Sequence, residues 1–320
     1  MPWLFAATAA MAGCALPLQT AGQVATEVVA HPDPLGALQS ADPGLAANKR
    51  LAFDLWRSVV NAGHIEMADT LLAEGYIQHS PVLRTGRKAF KEIFSVVPRQ
   101  EIPALVSPPL VAIVAEDDLV VMSLRETIAA HDGLAAYTST HFNLFRAANG
   151  QLAEHWHSVQ TPPGPDVPLP EDGGPQLVRG ASGPAQLALL KSASPTLAAN
   201  KRLVFDMWRN VVDAGRRQDA GHYFNSGFID YSANAGTSDE GFGARLAIRP
   251  ATTVAAAIRA PVVAIVAEGD MVVLVTMREH PHPVRAGRSY TTTWFDMFRL
   301  ANGRITAHWD AGLRSAEPRP

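Results

Sequence analysis

Ala47-Asn-Lys-Arg-Leu-Ala-Phe-Asp-Leu-Trp-Arg57 returns, 152 residues on, as Ala199-Asn-Lys-Arg-Leu-Val-Phe-Asp-Met-Trp-Arg209. The register holds through Tyr76-Ile-Gln-His79 against Phe228-Ile-Asp-Tyr231, and through Val111-Ala-Ile-Val-Ala-Glu116 against Val263-Ala-Ile-Val-Ala-Glu268. It slips by one residue before Phe145-Arg146 with Asn149-Gly150, which match Phe298-Arg299 with Asn302-Gly303. A period this long exceeds the roughly 20–50 residues of solenoid repeats and reads as a duplicated domain. Residues kept in both copies are expected to hold the fold; residues that differ mark where two cavities do different work.

Each copy opens with helical spacing. Leu51, Phe53, Leu55, Trp56 and Val59, and their partners Leu203, Phe205, Met207, Trp208 and Val211, give a broad apolar face that Gly63 and Gly215 end. Asp42-Pro43 and Ser194-Pro195 suit helix starts. Further helices are expected over Glu66–Glu74 and about Gly86–Val96. The period then changes to short runs rich in Val, Ile, Phe, Tyr and Thr, near Leu110–Ala115, Leu119–Glu126, Tyr137–Arg146 and Leu152–Val159. Asn149-Gly150 and Asn302-Gly303 are strong hairpin signals. The expected architecture is α+β: helices first, then an antiparallel meander, twice over.

Composition bounds the rest. At 320 residues the chain has room for about two domains, and each copy, about 115 residues, can bury a core unaided. With 27 basic and 30 acidic side chains and no basic cluster, nucleic acid is not an expected partner. Cys14 is the only cysteine, which excludes an intrachain disulfide. The apolar run Trp3–Leu16 is too short to span a bilayer but suits the h-region of an export signal, and Met11-Ala-Gly-Cys14 resembles a lipobox whose cysteine would tether the chain to a membrane. The expected organisation is an export or lipoprotein signal over 1–22, a disordered tether over 23–44, a first domain over 45–160, a linker over 161–194 and a second domain over 195–315. Localisation is then periplasmic, or otherwise exported or lipid-anchored.

Tyr76-Ile-Gln-His-Ser-Pro81, Ala115-Glu-Asp-Asp118, Phe142-Asn-Leu-Phe-Arg146, Asn149-Gly150 and Glu154-His-Trp156 together resemble the nuclear transport factor 2-like superfamily, and within it the SnoaL-like polyketide cyclases and predicted aldol-condensation enzymes. The resemblance covers both copies. It implies two tandem cone-shaped domains, each with three N-terminal helices packed on a curved antiparallel sheet around a deep apolar pocket. It implies pairing of the two copies through their sheets as an intramolecular pseudo-dimer. It also implies catalysis without a cofactor, in which a carboxylate takes a proton from carbon beside a carbonyl and a positioned donor steadies the enolate.

Alternation puts Trp294 and Asp296 on one face of a strand, and His308 and Asp310 on one face of the next. By the family pattern Asp310 is the base, with Asp296 or His308 tuning it or relaying the proton; the bland reading has Asp310 only capping the sheet. The first copy has His141, Asn143, His155 and His157 at these places, and His79 where the second has Tyr231. A histidine base with an amide donor can do the same enolisation near neutral pH. Converging histidines also suit a metal, but no His-x-x-x-His or paired-carboxylate spacing supports one, so neither metal nor cofactor is expected. Arg125 and Arg278 are the cations to test for pocket exposure, since an inward guanidinium favours an acidic substrate. Glu116 and Glu268 are expected to fix a hairpin turn. The functional expectation is a cofactor-independent lyase or isomerase acting on a small apolar or aromatic carbonyl or hydroxy compound, of aldol, retro-aldol or cyclase type. The rival is an exported binding protein that holds such a ligand unchanged.

Overall fold

The computed structural model describes residues 26–159, 177–233 and 250–314. The expected export or lipoprotein signal over 1–22, with Cys14, lies outside the described residues. In the first half, helix α1 (Pro43–Leu55) starts at Asp42, whose side chain accepts from Gly44 N, with Pro43 in the first turn, where its missing N–H costs nothing. It runs into a π-helical turn, Trp56–Asn61, and the chain reverses at Gly63, whose φ of 70° only glycine adopts without strain. Short helix α2 (Ala68–Leu71), strand β1 (Leu72–Gln78) and helix α3 (Arg87–Phe94) follow, then strands β2 (Leu110–Glu116), β3 (Leu119–Ile128), β4 (Tyr137–Ala148) and β5 (Gln151–His157). The second half repeats the order with helix α4 (Pro195–Met207) and strands β6 (Phe224–Asp230), β7 (Val262–Glu268), β8 (Met271–Pro281), β9 (Ser289–Ala301) and β10 (Arg304–Asp310).

The result is α+β with two five-stranded sheets of matching order, β1-β5-β4-β3-β2 and β6-β10-β9-β8-β7. Asn149-Gly150 and Asn302-Gly303 turn their hairpins with all four residues at positive φ, as a type I′ turn requires. The sheets are not purely antiparallel as expected, because β1 and β6 lie parallel to β5 and β10. The expected helix over Glu66–Glu74 stops at Leu71. Leu72-Ala-Glu-Gly-Tyr-Ile-Gln78 is short of β-branched residues and shows its inward face only through Leu72, Tyr76 and Gln78, so its pairing with β5 decides its state.

Each sheet buries both faces. One face holds the helices of its own half: Phe53, Leu55, Val59, Tyr76 and Phe145 in the first, and Val204, Phe205, Phe228, Leu274 and Phe298 in the second. The other faces meet in a shared core where Val121, Phe142, Leu144 and Trp156 pack against Val273, Phe295, Met297 and Trp309. Phe142 and Phe295 stack with ring centroids 5.4 Å apart. Glu116 and Glu268 do more than fix turns. Glu268 pairs with Lys49 at 2.6 Å and accepts from Ala115 N, while Glu116 pairs with Lys201 at 2.6 Å and accepts from Ala267 N, so each half reaches into the other.

The described part of the expected tether, 26–44, is packed rather than disordered. Val28 is buried and donates its N–H to Thr138 Oγ1, His31 N bonds Leu110 O, and Lys49 Nζ ties down Ala37 O and Gln39 O. The described part of the expected linker does the same for the second half. Val178 N bonds Thr291 Oγ1, Ala181 pairs with Val262, and buried Gln186 caps the carbonyls of Ala181, Ile258 and Ala260. A few anchoring side chains suffice to order such segments, and no periodicity announces them.

Candidate functional site

In the second half, strand pairing brings four chemical side chains together. Asp310 on β10 lies directly opposite Asp296 on β9, and His308 pairs across the parallel ladder with Asp230 at the end of β6. All four are buried. His308, with no exposure, stacks on Phe298 at 4.8 Å on the helix-facing side of the sheet. Its Nδ1 lies 3.0 Å from Asp230 Oδ1 and its Nε2 lies 3.0 Å from Asp296 Oδ1. Burial alone would lower its pKa, but the hydrogen bonds and charges of these two carboxylates outweigh that and push it up to about 9. His308 is therefore an imidazolium at neutral pH, donating from both nitrogens.

Asp296 has the opposite balance. Burial raises its pKa, the bond to His308 lowers it, and the nearby Asp310 carboxylate raises it again, leaving it above the ordinary carboxylate value. Its Oδ2 is buried without a hydrogen-bond partner among the described residues. Asp310 turns one oxygen onto Gly312 N at 2.9 Å. Ser232 Oγ donates to Asp230 Oδ1 at 2.7 Å, holding that carboxylate under the imidazole. Arg278 sits 3.6 Å from the centroid of the Trp294 ring, and its charge acts on Asp296. One oxygen or nitrogen each from Asp296, His308 and Asp310 lie within 4.8 Å of one another, close enough for a metal, but both His308 nitrogens already bind carboxylates.

The first half builds the same hydrogen-bond topology without the charge. Gln78, His155 and Asn143 stand where Asp230, His308 and Asp296 stand, with His157 opposite Asn143 in place of Asp310. His155 Nε2 donates to Asn143 Oδ1 at 3.0 Å, and the Gln78 amide meets its Nδ1 at 3.0 Å, which fixes a neutral tautomer. Burial holds His155 well below its usual pKa, helped by His157 and His141. Burial and then His141 take His157 down to about 3. His141 is also lowered by burial, against the pull of Glu126, whose carboxylate lies 3.9 Å away. Asn143 Nδ2, His141 Nδ1, His157 Nε2 and Glu126 Oε2 are buried without partners among the described residues.

Four sequence expectations need correction. His79 does not join the other histidines: it stacks on Trp156 at 4.6 Å on the inter-sheet side and bonds Glu154 at 2.7 Å. Tyr231 likewise stacks on Trp309 at 4.9 Å, beside the shared core. Arg125 and Arg278 are not equivalents, because Leu124 pairs with His141 whereas Thr276 pairs with Trp294. The position matching Arg278 is Glu126; Arg125 points to the other face, where it meets Glu27 at 3.4 Å. The fourth concerns the order of the carboxylates: Asp296, expected only to tune Asp310, is the one with a buried oxygen left without a hydrogen-bond partner among the described residues. Asp230 and Gln78 were missed. Their signal was the period-two relation to Phe228 and Tyr76 in a repeated block read as lying outside the sheet.

No family model matches the chain, and no curated protein matches it. Among solved structures it is similar to one described as a SnoaL-like polyketide cyclase from Jannaschia sp. CCS1, at 21% identity over 38% of this chain and 90% of that one, with a TM-score of 0.29. An LEH-like epoxide hydrolase of M. tuberculosis matches at 13% identity over 37% and 80%, with a TM-score of 0.27. IdmH from Streptomyces antibioticus, described as a polyketide cyclase, matches at 15% over 35% and 90%, with a TM-score of 0.26. At these values the reading of the site rests on the chain's own residues.

Proposed function

We propose that the second half is a cofactor-independent acid/base site that moves a proton beside a carbonyl or hydroxyl of a small apolar or aromatic compound, in lyase or isomerase chemistry. The observation that carries this is Asp296, a carboxyl of raised pKa with one oxygen held by an imidazolium and the other buried without a hydrogen-bond partner among the described residues. Such a carboxylate is poised to take a proton from carbon. His308 keeps it oriented, Asp310 keeps its proton affinity high, and the nearby charge of Arg278 favours the anionic carboxylate and an enolate formed beside it. The sequence motifs support placing the chain with the SnoaL-like branch of the nuclear transport factor 2-like superfamily, and its two halves as a duplicated pair. The apolar run Trp3–Leu16 supports export, which cell fractionation tests.

The test is deuterium uptake. The full chain is incubated in D2O with a panel of aromatic ketones and β-hydroxy ketones, and exchange beside the carbonyl is followed by NMR. Exchange with at least one compound is expected, slowed about 10²–10⁴-fold in Asp296→Asn and retained in His157→Gln. An unchanged rate in Asp296→Asn overturns the assignment. A second reading, retention of a ligand without turnover, suits the first half, whose buried neutral imidazoles are weak bases but offer unpartnered hydrogen-bonding atoms.

A further inference from the structure

On the face of the first sheet away from the histidine cluster, a cavity of about 420 Å³ opens between the two halves. It lies within the size range of small-molecule sites, roughly 300–1,000 Å³. Its apolar wall is Ile77, Leu177 and Val263, two of which, Ile77 and Leu177, are large side chains left exposed at 37% and 59%. Trp156 also lines it. This indole is 5% exposed, its ring is fixed by the stack on His79, and its Nε1–H is buried with no acceptor among the described residues. The indole therefore offers the cavity its apolar ring face.

The charges lining the cavity do not cancel. Glu154 has both oxygens engaged, one by His79 at 2.7 Å and one by Arg146 at 2.9 Å, and Arg146 also binds Asp118 at 2.6 Å. Arg179 lines the same cavity and makes no ion pair among the described residues. An exposed guanidinium with no ion pair among the described residues, beside an apolar wall, describes an anion with an apolar body. We propose that this cavity binds a small organic carboxylate, its acid group on Arg179 and its body against Ile77, Leu177, Val263 and the Trp156 ring.

The second half supplies an internal control. Val28 and Val178 make the same bond, to Thr138 and Thr291, so Glu27 and Val29 stand where Leu177 and Arg179 stand. Trp309 there also has an unpartnered Nε1, but Ala307 replaces Glu154 opposite the strand arginine, and the added charge is the Glu27 carboxylate rather than a guanidinium. What that side lacks is the guanidinium itself, since Val29 stands in the place of Arg179.

The proposal is independent of proton transfer at Asp296 and is tested by binding alone. Isothermal titration of the full chain with 4-phenylbutyrate and with its neutral amide should show the acid binding at least about 10-fold more tightly, as expected for a charge-assisted pair. Arg179→Gln, at an exposed position that folding tolerates, should remove that preference. Arg299→Gln on the other side should change nothing. Equal binding of acid and amide, an undiminished preference in Arg179→Gln, or no binding of either probe at millimolar concentration overturns the proposal.

Discussion

Raising the pH from 6.5 to 9.5 should loosen the second half. His308 has a folded pKa of about 9 against about 6.5 when unfolded, so folding takes up a proton between these values. The stability this contributes is complete below pH 6.5 and is lost as the pH climbs through 9. At about 1.4 kcal/mol per pH unit, a difference of this size is worth about 3 kcal/mol. The physical content is that deprotonated His308 can donate to only one of Asp230 and Asp296, leaving buried carboxylates against a lone pair. Tyr76, whose buried hydroxyl is held well above 10, titrates outside the window. Urea unfolding at pH 6.5, 7.5, 8.5 and 9.5, with hydrogen exchange read on peptides from β6 and β10, measures the limb directly. His308→Gln should start lower and lose the slope. A wild-type stability flat to within about 1 kcal/mol over this range, or the same slope in His308→Gln, refutes the reasoning.

The first half should respond with the opposite sign. Its imidazoles are held neutral, so stability is complete above pH 6.5 and falls on acidification toward 3; His157 keeps some solvent contact, so its limb is shallower than the full about 1.36 kcal/mol per unit, and calorimetry of His157→Gln between pH 4 and 6.5 should show it reduced. Lys201→Met strips the buried Glu116 carboxylate and two carbonyls of their cation and should cost about 3–5 kcal/mol in urea unfolding, with Lys49→Met, whose partner Glu268 is only partly buried, costing less. Gly63→Ala would place Cβ 2.5 Å from Val97 O at positive φ, whereas Gly150→Ala meets nothing within 4 Å; the first should lose more than the about 1–2 kcal/mol of a left-handed alanine, the second about that. Gln78→Asp with Asn143→Asp should convert His155 into an imidazolium, read as a nitrogen-15 shift at pH 7, and a ring that stays neutral at pH 6 counts against the proposed origin of the His308 charge.

The helices and the hairpins were legible because their signals are local: an apolar face at helical spacing before Gly63, and Asn-Gly between alternating runs. Strand β1 was not, because its state is set by β5, some eighty residues away, against its own weak propensity. The packed segments around Val28 and Val178 were hidden for the same reason, each held by a few distant partners such as Thr138 and Thr291. At the site, alternation correctly paired Asp296 with Trp294 and His308 with Asp310, but the aligned arginines misled. Arg125-Glu126 and Arg278-Glu279 look equivalent, yet the one-residue slip between copies falls after strands β3 and β8, so the true partner of Arg278 is Glu126. On a strand that one residue is the difference between the site and the opposite face.

That slip helps explain how one backbone carries two electrostatic solutions. Directly opposed carboxylates such as Asp296 and Asp310 repel, and burial sharpens the repulsion. They are tolerable because the histidine beside them gains a proton and the neighbouring strand offers Arg278. In the first half the opposed pair is Asn143 and His157, which needs no counter-charge, and the strand position that holds Arg278 holds Glu126 instead. A cation there would face neutral imidazoles with no carboxylate to balance it. Replacing Asp296 alone would thus leave His308 with one acceptor too few, and placing a single aspartate at Asn143 would give His155 a carboxylate on one side and an amide on the other. The substitutions in each half make electrostatic sense only as a set, which is why the hydrogen-bond pattern is shared while the charges are not.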